Sequence, residues 1–203
     1  MRRPLSIAAT ALALLALGTP GAAAVGLGEQ RVVSPAPRAH AASGGVLIAP
    51  DSACPSQDRL DAPAALQLAA MRCLTDYARL HAGLPPLGEV EQLDASAAAK
   101  SEDVLRCDDF SHFACGREFT YWMGETGYLS EPCWRVGENL AWGSGEQGSA
   151  GSIFRAWLRS PSHRENILGE FSQLGIGVRV GDLAGLGTVR VWSQHFGSRC
   201  EAG

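Results

Sequence analysis

Six cysteines restrict the possible folds of this chain more than any other sequence feature. They are Cys54, Cys73, Cys107, Cys115, Cys133 and Cys200. An even number of cysteines in an exported chain indicates disulfide bonds, because thiols oxidise outside the cytoplasm. Many pairings are possible in principle, and proximity along the chain favours Cys54–Cys73 and Cys107–Cys115, which leaves Cys133–Cys200. No C-x-x-C spacing occurs, so the sequence indicates neither a thioredoxin-like redox pair nor a zinc ribbon.

The N-terminal residues predict an export signal. Arg2 and Arg3 form a positively charged start, residues 5–17 are an apolar run, and the small residues at 21–24 resemble a cleavage site. The apolar run is shorter than the roughly 20 residues that a membrane-spanning helix needs. We therefore expect a signal peptide over residues 1–24, a secreted mature protein and no transmembrane segment after cleavage. An N-terminal membrane anchor is the alternative.

The rest of the chain divides into a linker and one domain. Residues 25–50 mix Ala, Gly, Ser and Pro without periodicity, which predicts a flexible spacer. Residues 51–203 have the length of one typical domain. The formal net charge of −4 leaves no basic surface for nucleic acid or an anionic membrane, so neither is an expected partner.

Hydrophobic periodicity predicts helices first and paired strands last. Apolar residues at spacings of three and four predict helices over residues 64–81, 89–105, 118–124 and 153–158. Asp61 is the expected N-cap of the first helix, and Leu66 is expected on its core-facing stripe. Strand patterns occur at residues 140–142, 174–180 and 188–196, the last two as an antiparallel hairpin. This order predicts an α+β domain in which helices cover an antiparallel sheet.

Four short segments contain side chains that suit a functional site, at residues 110–113, 137–141, 157–168 and 191–197. Each also has a structural interpretation. His112 lies between aromatic residues and suits core packing, while a buried Glu138 suits the acceptance of hydrogen bonds. Ser160 suits a helix cap before Pro161.

Taken in order, the motifs resemble the bacterial branch of the CAP superfamily, which comprises the cysteine-rich secretory, antigen 5 and pathogenesis-related 1 proteins. The matching patterns are R-x-x-x-G-L-x-P-L at 79–87, F-S-H at 110–112, G-E-N-L-A at 137–141, S-P-x-H-R-x-N-I-L at 160–168 and W-x-Q-x-F-G at 192–197. The resemblance implies a three-layer α-β-α sandwich with a small central antiparallel sheet.

The resemblance also implies an open cleft into which two histidines and acidic groups project. Carried over by position, these residues are His112, Glu138 and His163. Ser160 stands where eukaryotic members usually have a second glutamate, which removes one carboxylate from the expected site. Lys100 stands where many bacterial relatives have histidine.

These side chains have two interpretations. His112, His163 and Glu138 are similar to the His₂Glu ligand set of a zinc site, so Zn²⁺ or another divalent cation is a candidate ligand, although no cofactor is required. Alternatively, Glu138 accepts a hydrogen bond from an imidazole and fixes its tautomer, which makes the cluster a structural cleft wall.

Two function classes follow. The favoured one is a secreted, non-catalytic binding module whose cleft, including Ser160, takes a ligand; lipid or sterol is implied by the resemblance. The alternative is a metal-assisted or serine-type hydrolase with Ser160, His163 and Glu138 as its catalytic residues. No G-x-S-x-G or H-E-x-x-H motif occurs, which favours the binding module.

Overall fold

The computed structural model describes residues 25–27, 46–130 and 133–199. The predicted signal peptide and Cys200 lie outside these residues. Within them, no helix combines the length and the apolar character that crossing a membrane requires.

Five α-helices and five strands make up the fold of the described residues. The helices are α1 Ala64–His81, α2 Glu91–Arg106, α3 Tyr121–Glu125, α4 Ala150–Arg159 and α5 Pro161–Ile167. The strands are β1 Val25–Leu27, β2 Gly88–Glu89, β3 Trp134–Ser144, β4 Gln173–Asp182 and β5 Thr188–Arg199. The predicted α+β class is confirmed, and so is the predicted hairpin, because β4 pairs antiparallel with β5.

The sheet is mixed rather than purely antiparallel, which corrects one prediction. Its strand order is β1-β3-β5-β4-β2, and β2 runs parallel to β4. The Gly88 amide donates to the Ser172 carbonyl at 2.8 Å, so the chain joins the sheet edge before α2 begins. For this reason α2 starts at Glu91, two residues later than predicted. Val25–Leu27, part of the predicted spacer, pairs with β3 as β1.

Helices cover both faces of the sheet, as the three-layer prediction requires. On one face, Gly175 and Gly177 of β4 let α2 pack directly on the strand, because a Cβ at either glycine would overlap the backbone of Leu93 or Ala97. The main hydrophobic core lies on the other face, between the sheet and helices α1 and α4. It includes Met71, Leu74, Phe154, Trp157, Trp192 and Phe196.

Local details of α1 differ from the prediction. Leu66 is 50% exposed, and the buried stripe instead follows Gln67, Met71, Leu74 and Ala78. The stripe is therefore rotated by about one residue, roughly 100° around the helix. Asp61 is not the N-cap, because Pro63 takes that position and the Asp61 carboxylate binds Arg59.

Two of the three predicted disulfides are confirmed. Cys54 is bonded to Cys73 and Cys107 to Cys115, with Cα–Cα distances of 5.6 and 5.4 Å. The first clamps α1 to the preceding segment, and the second closes the loop after α2. The third pair includes Cys200, which is not among the described residues, so Cys133–Cys200 stays a prediction.

Candidate functional site

Glu138 is the centre of a buried polar cluster on the α2 face of the sheet. It lies in β3 and is 0% exposed. His112, in the loop after α2, donates from Nδ1 to Oε1 of the carboxylate at 2.5 Å, and His195 of β5 donates from Nε2 to Oε2 at 2.8 Å. Both carboxylate oxygens therefore have a histidine partner.

The position of His195 follows from strand register. In the antiparallel β3–β5 ladder, His195 lies directly opposite Glu138, so the two side chains share one face of the sheet. The other ring nitrogen of His195, Nδ1, lies 2.7 Å from the Ser96 hydroxyl of α2. The cluster therefore connects the two longest strands to the helix above them.

Lys100 adds a buried positive charge to this cluster. It is 2% exposed, and its ammonium donates to the His112 carbonyl at 2.7 Å. Burial lowers the pKa of Lys100, while the charge of Glu138 acts in the opposite direction. Burial alone would raise the pKa of Glu138, but hydrogen bonds from His112 and His195 and the charge of Lys100 bring it down to about 2. Glu138 is thus a carboxylate at neutral pH.

A second polar cluster lies on the opposite face of the same strands. Asn139 donates from Nδ2 to Gln194 Oε1 at 3.2 Å and to the His163 carbonyl at 3.1 Å. Gln194 in turn donates to the Thr75 hydroxyl of α1 at 2.9 Å. Asn166 of α5 donates to Asn139 Oδ1 at 3.1 Å and to the Glu138 carbonyl at 3.2 Å. These bonds fasten α5 to the sheet.

His163 and Ser160 form their own pair at the start of α5. The His163 ring is buried, and its Nδ1 lies 2.7 Å from the Ser160 hydroxyl. Ser160 occupies the predicted N-cap position, but its side chain makes no capping bond to the helix backbone. The hydroxyl engages the imidazole instead.

The structure thus brings the predicted site residues together in two pairs, His112 with Glu138 and Ser160 with His163. The resemblance implied an open cleft, whereas the side chains of His112 and Glu138 are only 4% and 0% exposed. Sequence reasoning did not assign His195 or Lys100 to the site. The pairing of the G-E-N and W-x-Q-x-F-G segments as neighbouring strands is the signal that would have identified His195.

The arrangement does not fit the expected zinc ligand set. Both oxygens of Glu138 are already engaged by imidazole nitrogens. Among the residues that the structure describes, no group of three or more His, Cys, Asp or Glu side chains is placed to hold a metal ion. The geometry therefore lends the zinc prediction no support.

The hydrogen bonds also differ from those of a serine triad. In a triad, the acid orients one imidazole nitrogen and the serine contacts the other. Here Ser160 contacts Nδ1 of His163, and the two oxygens of Glu138 accept hydrogen bonds from His112 and His195. Glu138 therefore binds the imidazole rings of His112 and His195, which are not the ring that Ser160 contacts.

A surface groove lies apart from both clusters, between α1, the start of α2 and the strands β2 and β4. Its volume is about 360 Å³, and its lining consists of Ala65, Leu68, Ala69, Arg72, Glu89, Asp94 and Ile176. The Arg72 guanidinium lies 3.3 Å from Asp94 and 3.6 Å from Glu89. The groove therefore combines apolar walls with a charged rim.

The described residues therefore form an α-β-α sandwich domain with a Glu–His cluster on one face of its two longest strands. The chain belongs to the CAP family, described as the cysteine-rich secretory protein family, whose family model matches residues 74–196. The match contains all five motifs, apart from Gly197, the last residue of the W-x-Q-x-F-G motif.

One bacterial protein is similar to this chain in sequence. The uncharacterized protein YkwD of Bacillus subtilis (strain 168) is 33% identical over 125 residues, which are 61% of this chain and 44% of that protein. This chain therefore spans less than half the length of that relative, and no activity of the whole protein is transferred to it.

Two solved structures share the fold. One is an extracellular protein containing an SCP domain from Bacillus anthracis strain Ames, with a TM-score of 0.53 and 24% identity; the match covers 64% of this chain and 39% of that one. The other is an outer surface protein of Borrelia burgdorferi, with a TM-score of 0.51 and 18% identity, covering 64% of this chain and 90% of that one. At these identities the likeness is one of fold.

Proposed function

We propose that this protein is a secreted, non-catalytic binding module that binds an amphipathic lipid in the groove between α1 and α2. In this proposal the Glu138 cluster stabilises the fold. The observation that carries the proposal is the complete engagement of Glu138. Its two oxygens accept hydrogen bonds from His112 and His195, and it is fully buried.

The burial of Glu138 and the engagement of both its oxygens in hydrogen bonds favour a structural role for this residue. A catalytic acid or base must come within hydrogen-bond reach of the substrate. Freeing Glu138 for such contact would break a bond to one histidine and leave a buried charge with fewer partners, which is costly. The extracellular SCP-domain protein among the structural relatives agrees with a secreted role.

The composition of the groove favours an amphipathic ligand. Leu68, Ala69 and Ile176 provide apolar contact for a hydrocarbon chain or a sterol ring. Arg72 and its two acidic partners, Glu89 and Asp94, form a charged rim for a polar head group. The volume of about 360 Å³ lies at the lower end of the range for ligand-binding clefts. An elongated lipid would bind partly inside the groove and partly along its surface.

Lipid titration tests the proposal. A fluorescent fatty acid and a fluorescent sterol are titrated into the mature secreted protein and into Ala69→Trp, which fills the groove. We expect saturable binding of at least one probe and a loss of affinity of at least tenfold in Ala69→Trp. Leu80→Trp is the matched control, because Leu80 is 56% exposed on the same helix but does not line the groove. Absence of saturable binding, or equal loss in both variants, would refute a lipid-binding groove.

One contact favours the hydrolase alternative, namely the 2.7 Å distance between Ser160 Oγ and His163 Nδ1. Peptide and ester substrates are therefore screened with the wild type, Ser160→Ala and His163→Ala. We expect no turnover above the buffer rate in any of the three. Turnover in the wild type that both substitutions abolish would replace the binding module with a serine-type hydrolase.

A further inference from the structure

Lys100 is the only lysine in the 203-residue sequence; all other Lys or Arg positions are arginine. Lysine is among the residue types that are least often fully buried, unless it is paired. Nevertheless, Lys100 is only 2% exposed, on the face of α2 that packs against the sheet. The one lysine is therefore buried at the polar cluster instead of lying on the surface.

The contacts of Lys100 connect it to Glu138 through His112. Its ammonium donates to the His112 carbonyl, and the His112 ring donates to Glu138. Among the acidic groups whose charges act on Lys100, Glu138 comes first, followed by Asp103, Asp109 and Glu118. Since an uncompensated buried carboxylate is costly, a nearby buried cation stabilises it.

The choice of lysine also has a geometric reason. A guanidinium carries five N–H donors in a rigid plane and needs many acceptors when buried. Arg79 illustrates this requirement, since its buried guanidinium donates to the carbonyls of Pro85, Ile167, Gly169 and Phe171. The smaller ammonium of Lys100 supplies the same charge while both Glu138 oxygens keep their histidine partners.

We propose that Lys100 is the resident cation of the Glu138 cluster and that its charge excludes divalent metal ions from this site. The inference rests on the structural role proposed for Glu138. His112 Nε2 is buried and has no hydrogen-bond partner among the described residues, so the cluster retains one nitrogen that could bind a metal. The positive charge of Lys100, which contacts the main-chain carbonyl of the same histidine, opposes a second cation. Removing that charge should open the cluster to Zn²⁺.

The wild-type protein provides the first test, because a single lysine gives a single side-chain signal. Protein labelled with ¹⁵N-lysine is titrated with ZnCl₂ and separately with EDTA, and the Lys100 Nζ resonance is followed by NMR. We expect no change in this resonance up to a roughly tenfold excess of zinc. A saturable shift at one equivalent of zinc would show that the metal enters the cluster, and it would overturn the inference.

Zinc affinity of charge variants provides the second test, by isothermal titration calorimetry. We expect Lys100→Met to bind Zn²⁺ at least tenfold more tightly than the wild type. Adding Glu138→Gln to Lys100→Met should abolish the gain, which excludes a surface zinc site. Equal affinities for Lys100→Met and the wild type would refute the proposal. If Lys100→Met does not fold, the wild-type NMR titration still decides the question.

The failure of this inference can be told apart from failure of the proposed function. Zinc binding at Glu138 in the wild type would overturn the roles proposed for Lys100 and Glu138, but it would leave lipid binding in the groove untouched. Loss of lipid binding would refute the groove without altering the lysine resonance.

Discussion

Both faces of the β3–β5 pair bury polar side chains, but the two faces compensate for the lost hydration in different ways. On the α2 face, Glu138 lies opposite His195; one residue further along β3, on the α1 face, Asn139 lies opposite Gln194. All four side chains are fully buried. The neutral amide groups are compensated by hydrogen bonds alone. They bond to each other and to side-chain and main-chain groups of α5. The carboxylate needs two imidazoles and a buried ammonium as well.

This difference indicates where the fold is most sensitive. A neutral polar group that loses a partner keeps its remaining hydrogen bonds, whereas a charged group that loses its counter-charge stays in a low-dielectric environment. The α2 face should therefore respond more strongly to substitution and to pH than the α1 face. Substitutions on both faces and acidification test this ranking.

Glu138→Ala is expected to cause the largest loss of stability. It removes the acceptor of both imidazoles and leaves the Lys100 ammonium without its main counter-charge, so we expect a loss of about 3–5 kcal/mol in the free energy of unfolding. Urea denaturation monitored by circular dichroism measures it. An unchanged urea midpoint would show that the charge of Glu138 does not stabilise the α2 face.

Acidification should weaken the α2 face selectively. The pKa of Glu138 is lowered from 4.5 to about 2 in the folded state, so Glu138 stabilises the fold above its unfolded pKa. This contribution, on the order of 3 kcal/mol, is lost as the pH falls from about 4.5 towards 2. Stability measured by urea denaturation from neutral pH down to about pH 2 should fall less steeply in Glu138→Gln than in the wild type. Parallel pH profiles would contradict the pKa shift.

Asn139→Ala should have a smaller effect than Glu138→Ala. It leaves Gln194 and Asn166 each with one lost partner but introduces no uncompensated charge, so we expect a loss of about 1–3 kcal/mol. Thermal and urea unfolding of both variants under identical conditions give the comparison. A loss equal to or greater than that of Glu138→Ala would reverse the proposed ranking of the two faces.

Ser160→Ala should have the smallest effect of the series. Serine at an N-cap typically contributes about 1 kcal/mol, but the Ser160 hydroxyl contacts His163 and not the helix backbone. We therefore expect a loss of about 0.5 kcal/mol, near the lower limit for one hydrogen bond. A loss of about 1.5 kcal/mol or more in urea denaturation would show that α5 depends on this cap.

Local sequence signals predicted a large part of this fold. The bounds of α1 were predicted to the residue because Pro63 and Gly83 flank a regular apolar repeat, and the hairpin followed from alternation and its glycine-rich turn. The pairings Cys54–Cys73 and Cys107–Cys115 were predictable because short loops bring these residues together. Motif order identified His112 and Glu138, which the structure joins.

The errors came from contacts between residues that are distant in sequence. The two-residue strand β2 has no periodicity of its own and exists because its backbone meets the strand β4. Leu66 was misplaced because the side of α1 that faces inward depends on where α4 and the sheet lie. His195 and Lys100 were not assigned because neither has a neighbour in sequence that indicates its partner.

The sequence alone determined the class of fold, the two short-range disulfides and the family, since these depend on local periodicity, spacing and motif order. Tertiary structure alone decided what Glu138 does. Strand register places His195 across from it, and the glycines of β4 let α2 approach closely enough to bury Lys100 beside it. Pairing of distant segments brings both His195 and Lys100 close to Glu138. In a low-dielectric interior, the distance from a carboxylate to such partners decides whether it is a reactive group or part of the scaffold.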